Sequence, residues 1–192
     1  MENPVLLIMR GLPGSGKSHF ARNIHDFMIR LPSAKPEITS ADDWFQTNNG
    51  GRFDHTQLGA AHNDCFRRAM HLMQDKAPLV VVDNANMTRA EISPYVMLGT
   101  ALGYKVTLVH VLPPREYGGI GRMIRFDVLA QRNVHGVPES TIRNMADRWE
   151  DHLPYWREIN IAPMYDSRSV NNQQKNPSTE DDHAQDTHQS RP

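Results

Sequence analysis

The stretch Gly11-Leu12-Pro13-Gly14-Ser15-Gly16-Lys17-Ser18 decides how the rest of the chain is interpreted. It satisfies the pattern G-x-x-x-x-G-K-[ST] at every constrained position. The apolar run 5–9 precedes it, and residues 17–30 follow it with helical spacing. Glycines let the backbone curl so that successive N–H groups point inward, and the start of a helix adds a partial positive charge. The stretch therefore predicts a loop whose residues 11–18 bind the β- and γ-phosphates of ATP.

Two side chains of this loop carry specific chemistry. Lys17 is expected to neutralise the phosphates and to take part in catalysis, and Ser18 is expected to offer its hydroxyl to Mg²⁺. The alternative is a glycine-rich turn that only caps a helix, and the flanking strand and helix argue against it. ATP and Mg²⁺ are thus the predicted cofactors.

Short aliphatic runs alternate with longer amphipathic segments along the chain, which is typical of βαβ units and a parallel sheet. The sequence predicts an α/β P-loop NTPase fold with helices flanking the sheet and an arginine-bearing lid. Pro94 is expected to bend or restart its helix. The predicted strands are 5–9, 37–41, 78–83, 105–112 and 158–162, and the predicted helices are 17–30, 55–75, 88–102 and 139–150.

Composition sets the domain organisation and narrows the functional class. The chain has 192 residues and a net charge of −1, and Cys65 is its single cysteine. A lone cysteine excludes an internal disulfide and a cysteine-rich metal site, and Cys65 is expected in the core. We expect one domain over residues 1–166, followed by a disordered polar tail over 167–192. With no membrane-spanning run and no secretory signal, the expected location is the cytoplasm.

Asp83 follows the most apolar strand of the chain. The carboxyl ends of parallel strands meet at the edge of the sheet where the phosphate loop lies. Asp83 is therefore predicted to hold Mg²⁺ together with Ser18. The alternative is an aspartate that only begins a turn with Asn84 and Asn86.

Asp42 and Asp43 follow the second predicted strand, so the same edge should bring them to the phosphates. A kinase acting on an alcohol needs a carboxylate that aligns the hydroxyl and takes its proton. The alternative for this pair is a helix cap before Trp44 and Phe45. The pattern favours Asp42 over Asp43 as the catalytic base.

Six arginines and no lysines lie between residues 115 and 148. Guanidinium groups match phosphate oxygens bidentately, although each arginine could equally form a solvated surface ion pair. Arg132 is the first candidate for a lid residue that stabilises the transferring phosphoryl group, with Arg122 and Arg125 behind it. His135, beside a glycine, could touch substrate or simply be solvated.

These blocks together resemble the polynucleotide-kinase-like P-loop kinases, including ATP-binding proteins of the AAA_33 type. The resemblance spans residues 5 to about 156. It is carried by Arg10 to Ser18, Ser40 to Asp43, Phe53-Asp54 with Leu58, Ala61-His62 and Cys65, Asp83 to Asn86, and Arg132 to Pro138 with Met145 and Arg148 to Glu150. The segment 117–123 departs from it, being glycine-rich where relatives continue into the lid helix.

The resemblance implies an ATP-dependent kinase with Lys17, Asp42 and Arg132 as catalytic residues and with Ser18 and Asp83 near the metal. Family members phosphorylate the 5′-hydroxyl of DNA or RNA. Related phage-encoded kinases phosphorylate the hydroxymethyl group of 5-hydroxymethyluracil during DNA modification, and a phage origin would place the protein in the host cytoplasm. The predicted partner is a nucleic-acid substrate. Near-zero net charge leaves open a small-molecule kinase for nucleosides, nucleotides or sugars, or a non-catalytic ATP-dependent switch.

Overall fold

The computed structural model describes residues 3–31, 35–111, 125–150 and 157–161. Within them, five parallel strands form one sheet in the order β2-β3-β1-β4-β5. The predicted α/β fold with a parallel sheet is confirmed. The strands are β1 Val5–Arg10, β2 Pro36–Thr39, β3 Leu79–Asp83, β4 Lys105–Val111 and β5 Glu158–Ile161; the helices are α1 Lys17–Met28, α2 Ala41–Asn48, α3 Leu58–Gln74, α4 Arg89–Ala101, α5 Phe126–Arg132 and α6 Glu139–Asp147.

The sheet has helices on both faces because successive side chains of a buried strand point to opposite sides. Val80 and Val82 of β3 belong to the core cluster that contains Cys65 of α3. Val81 between them belongs to the second cluster, with Ala21 of α1. Every residue of β3 is buried, as predicted for a central strand, and the predicted core position of Cys65 is confirmed.

A third cluster of buried side chains joins helices α5 and α6 to the edge of the sheet. It comprises Leu12, Met87, Leu129, Ile142 and Trp149, all buried. Leu12 lies within the phosphate loop, and Leu129 and Ile142 lie on α5 and α6. Burying these side chains together fixes the position of the α5–α6 unit against the phosphate loop.

Several predicted boundaries were wrong. The strand predicted over 37–41 ends at Thr39, because Ser40 caps a short helix that begins at Ala41. Residues 55–57 form a 3-10 turn ahead of α3. The helix predicted over 139–150 ends at Asp147, and Pro138 is its N-cap.

Helix α4 runs without interruption through Pro94, so the predicted restart was wrong. Thr88 and Glu91 form a capping box that stabilises its first turn. The buried side chains of Ile92 and Tyr95 flank the proline and hold the helix on the core. This packing offsets the backbone hydrogen bond that proline cannot donate.

The glycine-rich segment 117–123 with Arg122, the aromatic residues at 155 and 156, and the polar tail 167–192 lie outside the described residues. In the described part of the chain, no helix combines the length and apolar character needed to cross a bilayer.

Candidate active site

The phosphate loop connects β1 to α1, and close packing explains two of its glycines. A Cβ at Gly11 would lie 2.6 Å from Ser15 Oγ and 2.8 Å from the carbonyl oxygen of Val111. Gly14 has φ +77°, and a Cβ there would overlap the carbonyl oxygen of Leu129 in α5. Gly16, the N-cap of α1, has φ +96°. Only glycine adopts such values without strain, so the loop has the sharp curvature that phosphate binding requires.

Asp83 closes β3 directly beside Met9 of β1, at the edge where the phosphate loop begins. Its side chain is buried, and burial raises the pKa of the carboxyl above the ordinary value of 3.8. Lys17 and a hydrogen bond from Ser18 act on that pKa in the opposite direction. The negative charge of Asp42 raises the pKa of Asp83 further.

Among the residues that the structure describes, two buried side-chain oxygens have no hydrogen-bond partner: Ser15 Oγ and Asp83 Oδ1. Both belong to the phosphate-loop region. Buried polar atoms are nearly always paired in folded proteins, so unpaired ones mark a place built for a ligand. Ser15 and Asp83 are therefore suited to a bound nucleotide and its ion.

The donor set at this place fits Mg²⁺. No group of three or more His, Cys, Asp or Glu side chains within the described ranges could hold a metal by itself. Mg²⁺ is bound in nucleotide sites by one or two protein oxygens together with phosphates and water. The Ser18 hydroxyl and the adjacent Asp83 carboxylate, with its free oxygen, supply such a pair.

Asp83→Asn should make the protein without nucleotide more stable at pH 7. Because the pKa of Asp83 is raised in the folded state, folding with the charged carboxylate is penalised, and the penalty sets in as the pH rises from about 3.8 through the raised pKa. The amide carries no charge to bury. Thermal unfolding should show a higher midpoint for the variant at pH 7 and little difference near pH 3.

The same variant should lose most of the stabilisation that Mg·ATP gives the wild type, because the ion loses a carboxylate. A variant that is no more stable than the wild type at pH 7, or that keeps the full Mg·ATP effect, would contradict this account of Asp83.

The carboxylate of Asp43 stabilises the start of helix α2. Its Oδ2 accepts the backbone N–H of Ser40 at 3.1 Å, and Ser40 in turn caps the first turn of α2. The same oxygen lies 2.8 Å from Nη1 of Arg68 on α3. Arg68 also donates to the carbonyl of Ser40 at 2.5 Å. Asp43 therefore fills the helix-capping role that was the alternative for the two aspartates. Asp42 has a different environment.

The carboxylate of Asp42 is half exposed. Its Oδ2 lies 3.3 Å from Nε2 of His135, which follows α5. His135 is thus brought to Asp42 across the site, whereas the sequence left open whether it is simply solvated. The carboxylate of Asp42 therefore contacts the turn that carries His135, and its charge also acts on the pKa of Asp83.

The backbone of α2 is held to the end of β3 by Asn84. Its Oδ1 accepts the N–H of Ala41 at 2.9 Å, and its Nδ2 donates to Cys65 Sγ at 3.3 Å. From the sequence, Asn84 was expected only in a turn and within the block that carries the family resemblance. Its position after the buried strand was the available signal, because a polar side chain there must find partners at the sheet edge.

The arginines that were predicted to belong to a lid have different environments. Arg132 is exposed at the last residue of α5. Arg125 precedes the helix and pairs with Asp127 at 2.6 Å, so it forms the surface ion pair considered as the alternative for these arginines. Arg122 lies outside the described residues.

Arg10, which the sequence analysis assigned no role, is completely buried at the end of β1. Its guanidinium donates to the carbonyl oxygens of Asn86, Met87 and Glu150 at 2.8, 2.9 and 3.1 Å. It also lies over the ring of Trp149, 4.2 Å from the ring centroid. Arg10 thereby ties the β3–α4 loop and the segment after α6 to the start of the phosphate loop. A charged residue directly after five apolar strand positions was the signal for it.

The chain belongs to the AAA_33 family, described as an AAA domain, whose model matches residues 6–151. Human NEDD4-binding protein 2 is 33% identical over 151 residues, which cover 76% of this chain and 8% of that protein. The chain therefore spans less than a tenth of the length of this relative.

Two solved structures share the fold at low identity. The Mycobacterium tuberculosis APS kinase CysC, in complex with AMPPNP and APS, matches with a TM-score of 0.56 and 15% identity, covering 86% of this chain and 91% of the kinase. A chain of the Pnkp1/Rnl/Hen1 RNA repair complex matches with a TM-score of 0.56 and 22% identity, covering 77% of this chain and 44% of the other. The fold is that of P-loop kinases.

Proposed function

We propose that this protein transfers the γ-phosphoryl group of ATP to a hydroxyl group. The observation that carries the proposal is that the two adjacent carboxylates of Asp42 and Asp43 have different partners. Asp43 is bonded to the helix cap and to Arg68. Asp42 follows Ala41, whose N–H donates to Asn84 directly after Asp83, so Asp42 lies at the edge of the sheet where β3 ends. A carboxylate so placed can accept the proton of an acceptor hydroxyl.

In the proposed reaction, the acceptor oxygen forms a bond to the γ-phosphorus while the bond from phosphorus to the β–γ bridging oxygen breaks. The acceptor proton passes to Asp42, and ADP leaves. The backbone of residues 11–18 and Lys17 hold the β- and γ-phosphates, and Arg132 stabilises the transferring group. Ser18 and Asp83 would hold Mg²⁺, which would supply positive charge to offset the negative charge of the transferring phosphoryl group.

The proposed acceptor is a hydroxyl on nucleic acid, either the 5′-hydroxyl of DNA or RNA or the hydroxymethyl group of 5-hydroxymethyluracil in DNA. Two observations support it. The blocks around Asp42, Asp83 and Arg132 occur in the order typical of polynucleotide-kinase-like proteins. The fold is also shared with a chain of an RNA repair complex.

A small-molecule kinase is the second candidate. The net charge of −1 favours it, because surfaces that follow a phosphate backbone are usually basic. The likeness in fold to an APS kinase agrees with it. Both candidates use the same phosphate loop and the same base.

Incubation with γ-labelled ATP and Mg²⁺ tests the proposal. The acceptor panel comprises 5′-hydroxyl DNA, 5′-hydroxyl RNA, duplex DNA with 5-hydroxymethyluracil, and free nucleosides. We expect label on one of the polynucleotides. Label on nucleosides alone would establish the small-molecule candidate, and ATP binding without transfer to any acceptor would favour a nucleotide-dependent switch.

A further inference from the structure

We infer that His135 is a positioning residue for the proposed base Asp42, and that it orients the Asp42 carboxylate from the turn between α5 and α6. The inference rests on the proposed function. The juxtaposition that suggests it is the 3.3 Å separation between His135 Nε2 and Asp42 Oδ2, which joins the α5–α6 turn to the first turn of α2.

The contact fixes one oxygen of the carboxylate and leaves the other for the acceptor. Carboxylate oxygens only accept hydrogen bonds, so a hydrogen bond between the two side chains requires the proton on Nε2 of His135. Both side chains remain about half exposed, at 44% for His135 and 50% for Asp42. An acceptor hydroxyl can therefore approach Asp42 without displacing the histidine.

The turn that presents His135 is braced from within. The side chain of Asn133 accepts the N–H of Val137 at 2.7 Å and donates to the carbonyl of Ala130 at 2.7 Å. Gly136 adopts φ +65°, a value that favours glycine. A rigid turn can hold an imidazole against a carboxylate with little loss of entropy on contact.

The same turn is coupled to the phosphate loop. Helix α5 ends just before it, and the backbone of Leu129 packs against Gly14. The Leu129 side chain also lies in one buried cluster with Leu12. The loop that binds the phosphates and the histidine that orients the base therefore belong to one packed unit. This unit can keep the acceptor oxygen in line with the γ-phosphorus.

A purely structural pair would behave differently. Exposed ion pairs contribute little to stability, so losing one changes the melting temperature little and leaves the rate unchanged. A positioning residue acts on the rate instead, because a displacement of about 1 Å can cost on the order of 100-fold. The separation of kcat from KM thus distinguishes the two roles.

The test compares His135→Ala with His135→Gln in the full chain, using the acceptor that the wild type labels. We expect His135→Ala to lower kcat by about 10- to 100-fold while the KM for ATP stays within about threefold. His135→Gln should recover most of the loss, because its amide nitrogen reaches the position of Nε2. His71→Ala, at an exposed histidine of α3, is the matched control and should leave kcat unchanged.

A His135→Ala rate within about twofold of the wild type would overturn the inference, as would a rate increase, which would mean that the pair blocks the base. A glutamine variant as slow as the alanine variant would also overturn it. Asp42→Asn is measured alongside. If Asp42→Asn is inactive and His135→Ala is normal, only the positioning role fails. If the wild type transfers no label or Asp42→Asn is fully active, the proposed function and the inference both fail.

Discussion

Asp42→Asn should slow phosphoryl transfer by about 10²- to 10⁴-fold, the usual contribution of a positioned general base. The amide keeps the shape of the side chain and cannot take the acceptor proton. ATP binding should be retained, because the phosphates are held by residues 11–18 and by Lys17. Single-turnover transfer from labelled ATP measures the first effect, and equilibrium titration with a fluorescent ATP analogue measures the second.

Asp43→Asn is the matched control, since the two residues are adjacent in the first turn of α2. It weakens the capping box and the ion pair with Arg68, so we expect a loss of about 0.5 to 2 kcal/mol in the free energy of unfolding. The transfer rate should fall much less than in Asp42→Asn. Equal losses of rate in the two variants would contradict the division of labour between the carboxylates.

Arg10→Met should lower the free energy of unfolding by about 3 to 5 kcal/mol. The methionine removes a buried guanidinium and leaves the carbonyl oxygens of Asn86 and Glu150 without the donor that Arg10 supplies, each at a cost of about 1 to 3 kcal/mol. The carbonyl oxygen of Met87 loses Arg10 but keeps the N–H of Glu150. The cation–π contact with Trp149 is lost as well. Urea denaturation followed by circular dichroism measures the change.

Arg67→Met provides the control for Arg10→Met. Arg67 makes an exposed ion pair with Asp64 on one face of α3, and its replacement should change stability by less than about 0.5 kcal/mol. If Arg10→Met were as mild as Arg67→Met, the account of Arg10 as the tie between the phosphate loop and the segment after α6 would be wrong.

Much of the fold follows from local sequence. The four apolar residues 79–82 of β3 predict a buried strand, and the glycine spacing at 11–18 predicts a strand–loop–helix unit. The parallel sheet was confirmed. Helix α2 was missed because it is short and its capping box uses an aspartate, Asp43, at the third position. Helix α4 does not restart at Pro94, because tertiary packing offsets the loss of the backbone hydrogen bond that proline cannot donate.

The sequence predicted the position of a site residue only where that residue directly follows or ends a strand of the sheet. Asp83 lies at the sheet edge because its strand ends there. The roles of Arg10 and His135 depend on contacts between distant segments. Arg10 and Glu150 are 140 residues apart, and Asp42 and His135 also lie far apart in the sequence. No pattern within one segment encodes such a pairing, since it arises from how α5 and α6 pack on the phosphate loop.

The most direct test of the central claim is whether ATP turnover depends on an acceptor hydroxyl. With γ-labelled ATP, Mg²⁺ and a 5′-hydroxyl or 5-hydroxymethyluracil oligonucleotide, we predict that label moves to the oligonucleotide and that inorganic phosphate release is minor. Omission of the acceptor should nearly stop ATP consumption. Label found only as inorganic phosphate, at a rate unaffected by any acceptor, would contradict the claim and identify a hydrolase.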